Sequence, residues 1–242
     1  GWGTENKALR FFFAAPGNGY DSAVEYIEST VDGGQYINTQ YSFASGDRIT
    51  ADVWISAQNT ARWTALFGGK SSTGQWMLCP NNGVVPATLK PGYYCGKGSK
   101  SGTVALPTDR RISLDICGQT AIWSGETLDA GATADCGAGT GPMLIFNNNG
   151  SMSPDTALPA SSTLVAKLYS FQIADANDTL KRTFVPYRDE FGRVGLMDTL
   201  ADRFYLSPEG TAFNAVGVAY QVEGTKIKLL DGVLSGNDFD GF

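Results

Sequence analysis

The acidic residues are considered first, because glycoside hydrolysis needs two carboxyl groups, about 5–5.5 Å apart for retention and further apart for inversion. Side chains at i, i+2 and i+4 of a strand share one face, and this chain contains no E-x-D-x-x-E or E-x-D-x-E run. Asp115 has only Arg111 and Ser113 on its face, while Glu126 and Asp129 lie in a Gly-flanked turn. We therefore predict no catalytic residues and keep a glycosidase with an atypical carboxylate pair as an alternative.

Histidine is absent from the chain. Its absence excludes Ser-His-Asp and Cys-His catalysis and His-ligated zinc, and it argues against a charge switch near neutral pH.

Oxygen-rich turns offer a possible calcium site. The segment ADANDTL supplies Asp175, Asn177 and Asp178, and SGNDFDGF at residues 235–242 supplies further oxygens. Carboxylate and amide oxygens suit Ca²⁺, although such residues in turns commonly bond to their own backbone. The candidate metal ligands are Asp175, Asn177 and Asp178, and no other cofactor is predicted.

Four cysteines occur, none of them in a C-x-x-C pair, which argues against a zinc ribbon or a redox motif. QWMLCP and GYYCGKG read as neighbouring strands, as do RISLDICG and ATADCGAG. This pattern favours two disulfides, Cys79–Cys95 and Cys117–Cys136, in an exported protein. The alternative is four buried free thiols in a cytosolic protein.

Aromatic rings and amides supply the elements of a sugar site. A ring can stack on the apolar face of a pyranose while a few polar groups bond its hydroxyls. Trp54 falls on the polar face of its strand, beside Asp52 and Thr50. The alternative for each ring is packing in the core. The candidate ligand contacts are Trp54, Asp52, Trp63, Trp76, Tyr93, Tyr94, Asn147, Asn148 and Asn149.

Strands position these residues. In RITADVWISA, residues Ile49, Ala51, Val53 and Ile55 alternate with polar neighbours, which is typical of a strand with one face on a core. Similar segments follow at intervals of about 8–15 residues, separated by Gly, Asn, Asp or Pro. The sequence therefore predicts an all-β fold, a two-sheet antiparallel β-sandwich of the jelly-roll type.

The length of the chain indicates its number of domains, and its net charge limits the classes of binding partner. A chain of 242 residues fits one large β domain, and a net charge of −6 disfavours nucleic acid. No apolar run of about 18 residues is present to span a membrane. The start Gly1-Trp2-Gly3 is expected to be a mature or excised terminus.

The N-terminal segment KALRFFFAAP suggests a further contact. On one strand Leu9, Phe11 and Phe13 face one way and Phe12 faces the other. Phe12 then meets an identical subunit or a flanking domain, or else it is covered within the same sandwich.

Two blocks carry a family resemblance. EYIEST…GGQYINTQY, over Glu25–Tyr41, and the segment Leu168–Tyr205, with FVPYRDEFGRVGLMD, are similar to the concanavalin A-like, laminin-G-like jelly rolls of bacterial cell-surface and phage-tail proteins. The resemblance implies a laminin-G-like jelly roll over 21–222. The sequence on either side is predicted to form an N-terminal strand and linker over residues 1–20 and a C-terminal strand and tail over 223–242. The resemblance also implies that these two blocks are scaffold, forming hairpins and corners that hold one sheet on the other.

Such folds host many activities, so function must come from a site. We expect a non-catalytic extracellular or cell-surface module for binding or adhesion, with a glycan or cell-surface polymer as its ligand. A self-assembling subunit of a surface layer, filament or tail is the alternative.

Overall fold

The computed structural model describes residues 22–30, 34–57, 64–81, 90–123, 126–129, 135–148, 164–189, 191–208, 211–215, 220–223 and 226–229. The N-terminal segment 1–20, Trp63, Asn149 and the oxygen-rich segment 235–242 lie outside the described residues. No helix long and apolar enough to cross a membrane occurs in the described part of the chain.

The described residues form strands joined by turns. In chain order the strands are β1 (Ser22–Ala23), β2 (Ile27–Glu28), β3 (Ile37–Asn38), β4 (Arg48–Ile55), β5 (Phe67–Lys70), β6 (Gln75–Cys79), β7 (Gly92–Gly96), β8 (Gly98–Ser101), β9 (Ile112–Cys117), β10 (Thr120–Trp123), β11 (Glu126–Asp129), β12 (Leu144–Ile145), β13 (Ala166–Ala174), β14 (Leu180–Arg188), β15 (Val194–Asp198), β16 (Arg203–Tyr205), β17 (Tyr220–Glu223) and β18 (Lys226–Leu229).

These strands build two large antiparallel sheets and one hairpin. The larger sheet has the order β11-β10-β9-β4-β13-β14-β15-β16, with β1 beside β14 and β2 beside β13. The smaller sheet has the order β3-β12-β5-β6-β7-β8, and β17 pairs with β18. The predicted all-β sandwich is confirmed. The division of the chain at residues 20 and 222 stays a prediction.

Alternation in β4 places one row of side chains in the core. Ile49, Ala51, Val53 and Ile55 are 0–4% exposed, and the polar residues between them are half-buried on the outer face. Both neighbours of β4 run antiparallel to it, namely β9 and β13. The predicted strand and its two faces are confirmed.

Aromatic rings connect the two sheets through the core. Phe67 of the smaller sheet lies 6.1 Å from Phe171 of the larger sheet, measured between ring centroids. Trp76 contacts Phe67 edge to face at 5.6 Å, and Phe184 contacts Phe171 at 6.2 Å. Such ring pairs contribute about 0.5–1.5 kcal/mol each beyond the area they bury.

The corner predicted to be scaffold has that role where its contacts are described. Phe184 and Leu196 are fully buried, whereas Val185 is half-buried, because it lies on the opposite face of β14. Asp189 accepts hydrogen bonds from the backbone N–H of Arg193 and from its guanidinium, at 2.8 and 2.7 Å, which closes the β14–β15 turn. Buried Asp198 accepts a bond from the Thr183 N–H at 3.2 Å.

The disulfide pairing predicted from the sequence is wrong. Cys95 bonds to Cys136, while Cys79 and Cys117 are free. Cys79 lies opposite Gly92, and Cys95 lies opposite Trp76. Alternation therefore turns Cys79 and Cys95 to opposite faces of the smaller sheet, with Cys95 in the main core and Cys79 in a second cluster with Met77.

Truncation of Phe184 tests the core. Phe184→Ala leaves a cavity and is expected to lower the free energy of unfolding by about 3–5 kcal/mol, measured by urea titration. Phe191 is 73% exposed and its ring meets the Arg193 guanidinium at 5.2 Å, so Phe191→Ala is the control and should cost at most about 0.5–1 kcal/mol, the value of an exposed cation–π contact. Equal effects of the two variants would contradict the assignment of Phe184 to the core.

The observed pairing predicts the reactivity of each cysteine. Native protein should be alkylated at exposed Cys117, while buried Cys79 reacts only after unfolding, because burial raises the pKa of its thiol. Non-reducing peptide mapping should recover one bridge, Cys95–Cys136. Since the bridged residues are 41 apart, the chain-entropy model predicts that reduction costs about 4 kcal/mol. Recovery of a Cys79–Cys95 peptide would overturn the assignment.

Candidate functional site

A cluster of rings and cations lies on the outer face of the larger sheet. We call it the outer patch, and it consists of Trp54 and Asp52 on β4, Lys167 and Tyr169 on β13, Tyr26 just before β2, and Arg111 just before β9. The strands that carry it are held in register from both sides, since β13 pairs with β4 and with β2.

Lys167 occupies the centre of the outer patch. Its Cα pairs with that of Trp54 on one side and with that of Glu28 on the other. The ammonium lies 5.2 Å from the centroid of the Trp54 ring and 4.3 Å from that of Tyr26. It also donates a hydrogen bond to the Tyr26 hydroxyl at 3.2 Å. Both rings therefore provide cation–π contacts to one ammonium.

The other end of the outer patch is fixed by Arg111. Its guanidinium lies 4.1 Å from the centroid of the Tyr169 ring and donates to the Asp52 carboxylate at 2.7 Å. Ser113 donates to the second oxygen of Asp52 at 2.5 Å. Tyr169 in turn meets Tyr26 edge to face at 5.4 Å. A continuous series of ring–ring and ring–cation contacts thus crosses the patch.

The electrostatics of the two cations differ. Arg111 is paired with a carboxylate, whereas no described carboxylate oxygen forms an ion pair with Lys167 within 4 Å. The hydrogen bond to Tyr26 raises the pKa of Lys167 from 10.5, and Glu28 contributes to the shift at longer range. Lys167 is therefore fully charged at physiological pH.

Trp54 and Asp52 are the predicted ligand contacts that the structure brings together. Both are half-buried on the outer face. Sequence reasoning missed Lys167, Tyr26, Tyr169 and Arg111, because their proximity depends on the pairing of β13 with β4 and β2. A lysine on the polar face of a predicted strand is common in any sheet, so Lys167 by itself did not indicate a binding site.

Two predicted ligand contacts are core residues instead. Trp76 is 1% exposed and Tyr93 is fully buried. The Trp76 indole N–H donates to the Tyr93 hydroxyl at 2.8 Å, and that hydroxyl donates to the Gly118 carbonyl. Neither ring presents a face to a ligand, so assigning these two residues to a sugar site is wrong.

The other predicted contacts that the structure describes, Tyr94, Asn147 and Asn148, do not join the outer patch. Tyr94 is half-buried beside Met77, on the outer face of the smaller sheet. Asn147 and Asn148 are 1% and 6% exposed, and a Cβ added to Gly68 would collide with the Asn148 side chain. The amides of Asn147 and Asn148 therefore pack against the smaller sheet and are not part of the outer patch.

The candidate calcium turn is closed by its own hydrogen bonds. Asp175 accepts bonds from the backbone N–H of Asn177 and Thr179 at 2.9 and 3.0 Å and pairs with Lys181 at 2.8 Å. Lys181 and these N–H groups lower the pKa of Asp175 to about 2. No group of three or more acidic or cysteine side chains arranged for a metal occurs among the residues that the structure describes.

A cavity of about 290 Å³ lies beside this turn. Its main charged groups neutralise one another, because Arg48 bonds to both oxygens of Asp115 at 2.8 and 2.6 Å and pairs with Asp178 at 2.9 Å. The guanidinium contact lowers the pKa of Asp115. This arrangement joins the β13–β14 turn to β4 and β9, and we assign it to the scaffold. The lining residues are Gly46, Arg48, Asp115, Cys117, Thr120, Ile122, Asp175, Ala176 and Asp178.

Comparison with known proteins adds no identification: no protein-family model and no curated protein sequence matches this chain. The two-sheet antiparallel architecture is shown by the structure alone. The likeness to concanavalin A-like domains stays a prediction.

The Arg48–Asp115 pair predicts a pH-dependent contribution to stability. Because the folded-state pKa of Asp115 is below 3.8, the pair stabilises the fold above that pH and is lost as the pH falls through the folded value. Arg48→Met should cost about 0.5–1 kcal/mol at pH 6, a small value because both side chains are 38% exposed. Chemical denaturation at pH 6 and pH 2 should show the difference shrinking.

Arg110 provides the matched control. Its contact with Asp109 spans 4.0 Å between side chains that are 63% and 79% exposed. Arg110→Met should leave the stability unchanged at both pH values. A loss for Arg48→Met that is equal at pH 6 and pH 2 would show that packing, rather than the ion pair, accounts for it.

Proposed function

We propose that this domain is a non-catalytic, extracellular glycan-binding or adhesion module and that the outer patch is its binding face. The observation that carries the proposal is the half-buried indole of Trp54 on the outer face of β4, beside Lys167 and next to Asp52 along the same face. A large ring on a wet sheet face is the platform that a pyranose needs, and charged groups around it can bond hydroxyls.

The geometry of the patch supports a ligand that lies across the strands. The accessible side chains of the row are Trp54, Lys167, Tyr169 and Arg111, and buried Tyr26 supports it through its contacts with Lys167 and Tyr169. Cross-strand pairing fixes the backbone at Trp54 and Lys167, and ring and ion-pair contacts hold Tyr26, Tyr169 and Arg111. Little order must therefore be gained on binding. An extended polymer of sugars fits such a row better than a compact molecule does.

The electrostatics of three described carboxyl groups argue against a role for them as general acids. A general acid requires a raised carboxyl pKa. The pKa values of Asp115 and Asp135 are lowered by hydrogen bonds from Arg48 and Ser45. For Asp189, burial opposes the shift, but bonds from Arg193 and two backbone N–H groups lower the pKa. These groups are ionised at neutral pH and suit structural or binding roles.

The disulfide supports the extracellular placement. Cys95–Cys136 links β7 to the segment before β12, and structural disulfides persist in oxidising compartments.

Truncation of Trp54 tests the proposed function. Ring stacking contributes about 1–3 kcal/mol by analogy with base–aromatic platforms. Trp54→Ala should therefore weaken glycan binding roughly tenfold or more, measured on a glycan array and then by calorimetry. Stability should fall by only about 0.5–1 kcal/mol, the value of an exposed cation–π contact.

Phe191→Ala removes an exposed ring outside the outer patch and serves as the control. Its glycan binding should equal that of the unmodified protein. Equal losses in the two variants, or a large loss of stability without loss of binding in Trp54→Ala, would contradict the proposal.

A further inference from the structure

We infer that the outer patch selects anionic pyranosides, with the Lys167 ammonium as the group that recognises their carboxylate or sulfate. The inference rests on the proposed glycan-binding function and adds the class of ligand. Lys167 is the specificity-determining residue in this assignment, and Trp54 is the stacking platform.

Lys167 differs from three other basic side chains on or beside the larger sheet, each of which pairs with a carboxylate. Arg48 pairs with Asp115 at 2.6 Å, Arg111 with Asp52 at 2.7 Å, and Lys181 with Asp175 at 2.8 Å. The Lys167 ammonium instead contacts two rings and a phenol oxygen. Its charge is therefore not neutralised by direct contact with a described carboxylate and can bind an anion.

Glu28, the acidic residue paired with Lys167 across the strands, does not neutralise this charge. Glu28 is the cross-strand partner of Lys167 on β2, yet the two side chains form no ion pair within 4 Å, since the ammonium points to the rings. Glu28 acts on Lys167 only as a longer-range charge. It therefore competes with an anionic ligand to a limited degree.

The position of the ammonium over Trp54 gives selectivity a physical basis. A neutral sugar that stacks on the indole must displace the ammonium and lose the cation–π contact. An anionic sugar draws the ammonium to its own carboxylate or sulfate and exposes the ring in the same movement. The anion gains a charge-assisted hydrogen bond, which is stronger than a bond between neutral groups.

The negative charge of the whole chain does not oppose this local contact. The net charge is −6, but exposed charges further away than about 8 Å are largely screened at physiological ionic strength. The contact itself forms within the patch, between a ligand anion and Lys167. Binding of anionic ligands should consequently weaken as salt is added.

The test uses matched pairs of ligands on the full chain. Tetragalacturonate is compared with its methyl ester, which tests carboxylates, and a dextran sulfate oligosaccharide is compared with dextran, which tests sulfates. Affinities are measured by calorimetry at 50 and 500 mM NaCl. Four proteins are compared: the unmodified chain, Lys167→Met, Glu28→Gln and Lys100→Met. Lys100 is an exposed lysine on β8 of the smaller sheet and is the control.

The unmodified chain and Lys100→Met should bind at least one anionic ligand more tightly than its neutral counterpart, with an affinity that falls at high salt. Lys167→Met should lose roughly tenfold or more for that anion, as expected for a charged hydrogen bond, and should lose the preference. Glu28→Gln should bind the anion more tightly. Whether galacturonate or dextran sulfate binds identifies carboxylate or sulfate as the recognised group.

The contradicting results separate the two proposals. Tight binding of the neutral members, with no change in Lys167→Met, would overturn the selectivity and leave the glycan-binding function standing. Equal losses in Lys167→Met and Lys100→Met would mean non-specific attraction and would also overturn it. Binding of none of these ligands, together with an empty glycan array, would overturn the proposed function and this inference with it.

Discussion

Edge-to-face packing of Phe67 against Phe171 joins the two sheets, and most other features depend on that contact. Phe67 belongs to the smaller sheet and Phe171 to the larger one, and both are fully buried. On either side of them the ring contacts continue to Trp76 and to Phe184. Once these rings set the inner faces, alternation along each strand decides which side chains reach solvent.

The outer patch is a direct consequence of that constraint. Val53 and Ile55 are held in the core, so Trp54 between them is turned outward. The same holds on β13, where buried Leu168 and Phe171 lie among half-buried residues. Pairing of β13 with β4 and β2 then brings Lys167 to Trp54 and Tyr26. A patch built on paired strands is more rigid than one on loops.

Charge placement divides the larger sheet into two regions. Near the β13–β14 turn, Arg48 and Lys181 are paired with aspartates, and these contacts connect the turn to the sheet. In the outer patch, rings take the place of carboxylates around Lys167. The first arrangement stabilises the fold modestly, whereas the second leaves Lys167 without an ion pair to a described carboxylate, as the proposed binding role requires.

The sequence by itself determined the strands, the sandwich and the outward face of Trp54, because each follows from a period of two within one strand. It did not reveal that β6 is buried on both faces. For that reason it assigned Trp76 to a ligand site, although Trp76 bonds to Tyr93 in the core. The tertiary structure alone decided the disulfide and the neighbours of Lys167. Both depend on which residues face each other across strands, and a single strand's pattern carries no information about register.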